Sequence, residues 1–384
     1  MLKHRIFDYL QKAQTGYLEI TTPEHNKIEI GDPASDLKAN IVIKDWALID
    51  AVVKYGDIGF GESYMDGWFE TDDLIALLSF FVVNQEHLEE IFHGNIFFSF
   101  LGFVKNLFNK NTLSGSKKNI SFHYDISNEF YQIWLDPSMT YSSAIFDQKA
   151  DLNLAQKNKY QRILSNLNAG KNILEIGCGW GGFMEEAAKQ DQFVKGLTLS
   201  TKQADFAQKR LSAQNLKGEI ALQDYRHETQ KFDNIVSIEM FEAVGKEYWG
   251  EYFKKVSSSL NEGGKAIIQT ITIKDDIFEK YSTTADFIRK HIFPGGVLPS
   301  KSIFTHLAAS QGLKVDNEFA FGQSYFLTLK LWLENFNNNL SAIKTLGFNQ
   351  EFIRKWQFYL AYCAAGFYGQ RTDVMQYCLV KSYK

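Results

Sequence analysis

Ile173-Leu174-Glu175-Ile176-Gly177-Cys178-Gly179-Trp180-Gly181-Gly182 is the stretch on which the reading of this chain turns. An apolar run carrying one acid passes directly into a glycine cluster, and Phe183–Gln190 beyond it has a helical pattern. Glycines let a backbone approach a ligand closely and adopt dihedrals closed to other residues. Gly177, Gly179 and Gly182 fit the bare spacing of a loop that cradles a phosphate at a helix N-terminus. They fit a tight strand–helix turn equally well, and spacing alone does not separate the two.

Outward from this loop the alternation continues. Strands are predicted at Asn172–Ile176, Phe193–Leu199, Glu219–Leu222, Phe232–Met240 and Lys265–Ile273, helices at Phe183–Gln190 and Thr201–Gln214, and a late strand at Val374–Val380. Such alternation predicts an α/β fold with a mainly parallel sheet covered on both faces, its ligand crevice at the C-terminal ends of the strands. The N-terminal part reads differently, with short strands at Tyr17–Thr21, Lys27–Ile30 and Ala39–Ile43 and a helix over Asp45–Tyr55. A Gly- and aromatic-rich segment from Gly56 to Trp68 should be turn and helix, packed by its rings. The expected boundaries are an N-terminal domain at 1–85, a linker at 86–119 and a larger domain at 120–384. Within the linker, Ile96–Val104 is strongly apolar and is followed by Lys105, Lys110, Lys117 and Lys118. It reads as a buried docking helix or as an interfacial helix with lysines at lipid headgroups.

Composition narrows the classes. The net charge of -4 over 384 residues argues against a nucleic-acid binder. Cys178, Cys363 and Cys378 show no CxxC spacing, so no metal site or disulfide framework is expected and a reduced setting fits. The longest apolar run, Leu74–Val83, is far short of the ~20 residues a membrane-spanning helix needs, so the chain is expected to be soluble or peripheral. The 32 phenylalanines suit either a Phe-rich core or an apolar tunnel or membrane-facing surface.

The flanks of the loop sharpen its reading. Glu175-x-Gly177-x-Gly179 resembles the first motif of class I S-adenosylmethionine (SAM)-dependent methyltransferases, in which the acid orients the loop and the amino end of the cofactor. A dinucleotide fold expects a ribose-binding acid at the end of its second strand, whereas Gly196-Leu197-Thr198-Leu199-Ser200 has none. The third strand ends in Gln223-Asp224-Tyr225-Arg226, and an acid there suits the donor amino group of adenine.

Further stretches make the match specific: His123-Tyr124-Asp125-Ile126-Ser127-Asn128-Glu129-Phe130-Tyr131, Met139-Thr140-Tyr141-Ser142, Phe241-Glu242, Phe293-Pro294-Gly295-Gly296 and Tyr325-x-x-Thr328-Leu329. Together with the three strand-end motifs they resemble the cyclopropane fatty-acyl-phospholipid synthase family, which includes the mycolic acid cyclopropane synthases. The resemblance runs from about residue 120 to the end and more weakly through 56–72.

The resemblance implies a class I SAM-dependent methyltransferase fold, Rossmann-like with a seven-stranded, mainly parallel sheet. A smaller N-terminal α+β domain would assist lipid binding and dimerisation. It implies SAM at Tyr141, Ser142, Glu175, Gly177, Gly179, Thr198, Gln203 and Asp224. It implies a bicarbonate ion as general base, held by Ser143, Glu242, Gln269, the backbone of Ile271, and Tyr325. The implied reaction adds a methylene to the double bond of an unsaturated acyl chain in a membrane phospholipid, giving a cyclopropane. Methyl- or methylene-branched products, or SAM-fold lipid binding without turnover, are the alternatives. The implied setting is cytoplasmic, at the inner face of the membrane, as a homodimer. Two positions depart from the family pattern: Ser143 stands where Cys is usual and Gln269 where His is usual. Ala243 replaces a His found in many relatives. Serine and glutamine still hydrogen-bond an oxyanion, but glutamine cannot share a proton. Glu239 reads as a strand-end residue rather than a second base, and Cys178 as structural. Tyr325, Phe293 and Phe287 are the rings expected to shield a cation on the acyl chain.

Overall fold

A computed structural model of the chain describes residues 2–92, 126–147, 151–169 and 172–382. Ile96–Val104, the four linker lysines and His123 lie outside the described residues. The chain divides into two compact units, one of Met1–Phe108, Thr283–Ile292 and Leu329–Arg371, the other of Asn109–Ser282, Phe293–Thr328 and Thr372–Lys384. The contiguous 1–85 and 120–384 boundaries therefore miss two segments that join the first unit. The reason is packing: the helix Gln350–Tyr368 lies against the helices Asp57–Met65 and Leu74–Val83.

The first unit holds a four-stranded sheet of β1 (Tyr17–Thr21), β2 (Lys27–Gly31), β3 (Lys38–Ile43) and β4 (Phe69–Glu70) in the order β2-β1-β3-β4. The Gly/aromatic segment is the helix Asp57–Met65 followed by β4. Gly61 is required there, because a Cβ would lie 2.4 Å from the Phe287 ring and 2.8 Å from Phe358. Buried Arg354 ties the unit together, donating to the carbonyls of Tyr64 and Phe69 and to the Glu70 carboxylate. Phe287, expected beside a reacting acyl chain, is instead packed within this core against Gly61 and Phe358.

The second unit is built on seven strands. These are β5 (Asn172–Ile176), β6 (Phe193–Thr198), β7 (Glu219–Leu222), β8 (Phe232–Ile238), β9 (Leu260–Ile273), β10 (Leu313–Ala320) and β11 (Thr372–Lys381), in the order β10-β11-β9-β8-β5-β6-β7. The pairs β6–β7, β5–β6, β5–β8 and β8–β9 are parallel; β9–β11 and β10–β11 are antiparallel. Helices follow β5 and β6 at Gly182–Ala188 and Thr201–Ala213, the latter capped by the Ser200 side chain accepting from the Gln203 N–H. The buried runs Ile173–Ile176 and Asn234–Ser237 mark β5 and β8 as the central strands, covered on both faces. Strand β8 stops two residues before its expected end. Glu239 takes φ of 50°, a left-handed conformation costly for any residue with a Cβ. Strand β10 escapes the sequence pattern because it is an edge strand with mostly exposed residues.

Candidate active site

The C-terminal ends of β5, β6, β7 and β8 surround one cavity of about 160 Å³. All eight residues expected to hold SAM line it: Tyr141, Ser142, Glu175, Gly177, Gly179, Thr198, Gln203 and Asp224. Gly177 and Gly179 have φ of 84° and 52°, the region glycine adopts at no cost. A Cβ on Gly177 would meet the Met240 side chain at 2.9 Å, while Gly179 faces open space. Thr198 donates to the Gln203 side chain at 2.8 Å. Asp224 accepts from the Arg226 guanidinium through both oxygens, which holds its carboxyl below the usual range although burial opposes this. Trp180 packs on Tyr131, and its ring N–H donates to Asn128 at 2.8 Å.

Glu175 is the telling group. Its Oε2 is buried and meets no hydrogen-bond donor, and burial pushes its pKa to about 8. An unpaired buried carboxylate is costly, so the site fits a ligand that brings an ammonium to it. Lys159 adds a second buried charge. It sits on the inward face of the helix Leu152–Asn166, donates to Ser142 Oγ at 2.6 Å, and is pulled down to about 7 by burial against the pull of Glu239, Asp136 and Glu175. Cys178 is buried and its thiol is held well above its ordinary value, so it is no nucleophile.

The five residues expected around bicarbonate do not fit that ion, because their donors already have acceptors within the chain. The Ser143 peptide N–H donates to Glu239 Oε1 at 2.8 Å, Gln269 Nε2 to the same oxygen at 2.7 Å, and the Tyr325 hydroxyl to Glu239 Oε2 at 2.6 Å. The Ser143 hydroxyl turns away, donating to the Ala144 carbonyl. The Ile271 N–H donates to Glu242 Oε1 at 2.5 Å, with the Thr270 hydroxyl at 2.9 Å. Glu242 Oε2 is buried without a partner, and burial, then repulsion from Glu239, pushes this group to about 8. Gln376 Nε2 donates to Gln269 Oε1 at 3.0 Å from the neighbouring strand, which aims the Gln269 amide N–H at Glu239.

Sequence reasoning read Glu239 as a strand-end residue rather than a second base and passed over Lys159; the structure puts Glu239 just past β8 on the cavity wall and Lys159 against Ser142. The signal for Glu239 was available: Glu239-Met240-Phe241-Glu242 puts two carboxylates three apart just past a central strand. Lys159 shares helical spacing with Gln156, Tyr160 and Ile163, all fully or nearly buried.

Residues 111–377 match the family model of the mycolic acid cyclopropane synthetases. The chain belongs to this family. It is similar to a tuberculostearic acid methyltransferase of Mycobacterium tuberculosis, 33% identical over 87% of this chain and 81% of that one. It is similar as well to the cyclopropane-fatty-acyl-phospholipid synthase of Escherichia coli K12, 33% identical over 88% of this chain and 87% of the relative. Among solved structures, a mycolic acid cyclopropane synthase in complex with SAH and CTAB superposes with a TM-score of 0.65 at 31% identity, over 69% of this chain and 98% of that chain. The second unit has the class I methyltransferase fold, and the protein is a SAM-dependent methyltransferase.

Proposed function

We propose that the protein alkylates the double bond of an unsaturated fatty acyl chain of a membrane phospholipid, using SAM, to give a cyclopropane. The observation that carries the reading is a cavity lined both by the SAM-type loop and by Glu239 just past the end of β8. Bound there, SAM would supply an electrophilic methyl group, with Glu175 meeting its amino end and Thr198, Gln203 and Asp224 the remainder. An alkene is a weak nucleophile, so alignment supplies much of the rate. Attack leaves a cation on the acyl chain, which needs an apolar surround to escape water and a base to take its proton. Met240, Val244, Trp180 and Tyr225 line the cavity and help exclude water.

Branched-chain methylation is the second reading, supported by the tuberculostearic acid methyltransferase among the relatives and by a second relative named a probable fatty acid methyltransferase. Action at the inner membrane face and dimerisation through the N-terminal unit belong to the same proposal. Among the described residues no helix is long and apolar enough to cross a membrane, which suits peripheral attachment. Purified protein incubated with SAM and mono-unsaturated phospholipid vesicles tests the reaction. A fatty acid heavier by one methylene with upfield ring protons is expected, and vinylidene protons would move the product to the second reading. A protein that binds SAM and yields neither product would leave a different acceptor or lipid binding without turnover.

A further inference from the structure

We propose that the Glu239 carboxylate is the base of this methyltransferase, carried by the chain itself at the place where a bicarbonate ion was expected. The assignment rests on the alkylation reading above and deepens it. Three donors from three separate segments, the Ser143 peptide, the Gln269 amide and the Tyr325 hydroxyl, converge on this one carboxylate. Burial pushes the Glu239 carboxyl up, and this set of donors works against that and favours the anion. Gln376 holds the Gln269 amide the right way round for it. Glu239 lines the same cavity as Glu175 and Gly177, so it faces the reacting groups rather than the sheet interior.

Two further features point the same way. Glu239 has φ of 50°, and its own N–H donates to the Gln269 carbonyl at 2.8 Å, so the chain leaves the strand here in a strained conformation that aims the side chain at the cavity. Beside it, Glu242 has one oxygen held by Thr270 and Ile271 and the other buried without a partner. Two adjoining enclosed acids do not both ionise. Glu239 has the donors, so it takes the charge, and Glu242 keeps the proton.

The step balances without any other reactant. The S–CH3 bond breaks as a C–C bond forms to one alkene carbon, and the other carbon becomes cationic. Glu239 removes a proton from the new methyl group, and the freed C–H pair closes the ring. Glu239 leaves the step as a neutral acid and returns its proton to solvent. If the proton comes instead from the alternative position next to the cation, a double bond forms and the chain is unsaturated and branched.

The test uses the full-length protein, SAM and dioleoyl phosphatidylglycerol vesicles in CO2-depleted buffer, with and without added bicarbonate. Wild-type turnover is expected to be the same in both media. Glu239→Gln, which preserves shape, should lose about 100-fold or more in both, in the range of a lost general base. SAM affinity by calorimetry should hold, showing that the site is folded. Glu239→Gly opens room for an ion and should regain part of its turnover when bicarbonate is added. A substrate-free arm titrates carbon-13 bicarbonate into protein saturated with SAH and follows its NMR line. Wild type should not broaden it and Glu239→Gly should. Wild-type turnover that collapses on CO2 depletion, bicarbonate binding to wild type, or a Glu239→Gln variant with near-normal turnover would each overturn the assignment. If wild type leaves the vesicles untouched while the bicarbonate arm behaves as expected, the phospholipid reading fails while the exclusion of bicarbonate by Glu239 stands.

Discussion

Two buried-side acids stand at the ends of neighbouring parallel strands, Glu175 on β5 and Glu239 just past β8. They share one cavity and differ in what meets them. Glu175 keeps an oxygen with no donor, whereas Glu239 has both oxygens bonded, by a peptide, an amide and a phenol. An acid left unmet by its own protein is shaped for a ligand's positive end. An acid met on both oxygens has donors that favour its anion against the burial that pushes its carboxyl up. The contrast separates binding from chemistry within a few residues.

The largest effect should come from breaking the chemical half. Glu239→Gln is expected to abolish most turnover while leaving SAM affinity intact. Breaking the binding half should do the reverse: Glu175→Gln is expected to weaken SAM about 10- to 100-fold, the cost of losing a charged hydrogen-bond partner, with turnover at saturating SAM changed far less. Calorimetry and a kcat–KM split distinguish the two, and parallel losses in both variants would erase the contrast. A smaller effect is expected from Gln376→Leu, which frees the Gln269 amide to turn. We expect a fall of about tenfold in kcat with unchanged SAM affinity, because a slightly misplaced base is a slower one. Product analysis of Gln269→His and Ser143→Cys sharpens the same point, since each alters what surrounds the carboxylate.

How much of this was visible in the sequence depends on range. The Gly loop and β5 are local patterns, and the strand Asn172–Ile176 falls where the residues say it should. The carboxylate cluster is not local. Glu239 meets Ser143 across 96 residues, Tyr325 across 86 and Gln269 across 30, and no window of sequence contains that geometry. The resemblance pointed to Ser143, Gln269 and Tyr325 as a ring of donors without showing that this chain supplies the acceptor. Lys159 was hidden for another reason: Leu152–Asn166 is a mostly polar helix, and a lysine on it reads as solvated until the burial of its neighbours is known. The segments 283–292 and 329–371 were misplaced because sequence order says nothing about which core a returning helix joins.

The smallest effect is on stability against pH. Glu175 and Glu242 are pushed to about 8 by burial, from an ordinary 4.5. Between those values the folded chain keeps protons that the unfolded chain releases, so stability should fall as pH rises from about 5 to about 8. Lys159 acts oppositely: pulled down to about 7 from 10.5, it should return stability above neutrality. Calorimetric Tm values across this range check the sign, and Glu242→Gln should flatten the fall. A Tm that climbs steadily from pH 5 to pH 8 would contradict the protonated state assigned to Glu242.

The left-handed backbone at Glu239 has a consequence for the gene. Glycine is the residue that conformation suits best, and one base change turns either glutamate codon into a glycine codon. The exchange would also remove a buried acid, so a drifting lineage selected only for a durable protein would have an easy mutational path away from Glu239. Retention of the acid through rounds of laboratory selection for lipid product, and its drift to glycine under selection for heat tolerance alone, would display that opposition between catalysis and durability at a single codon.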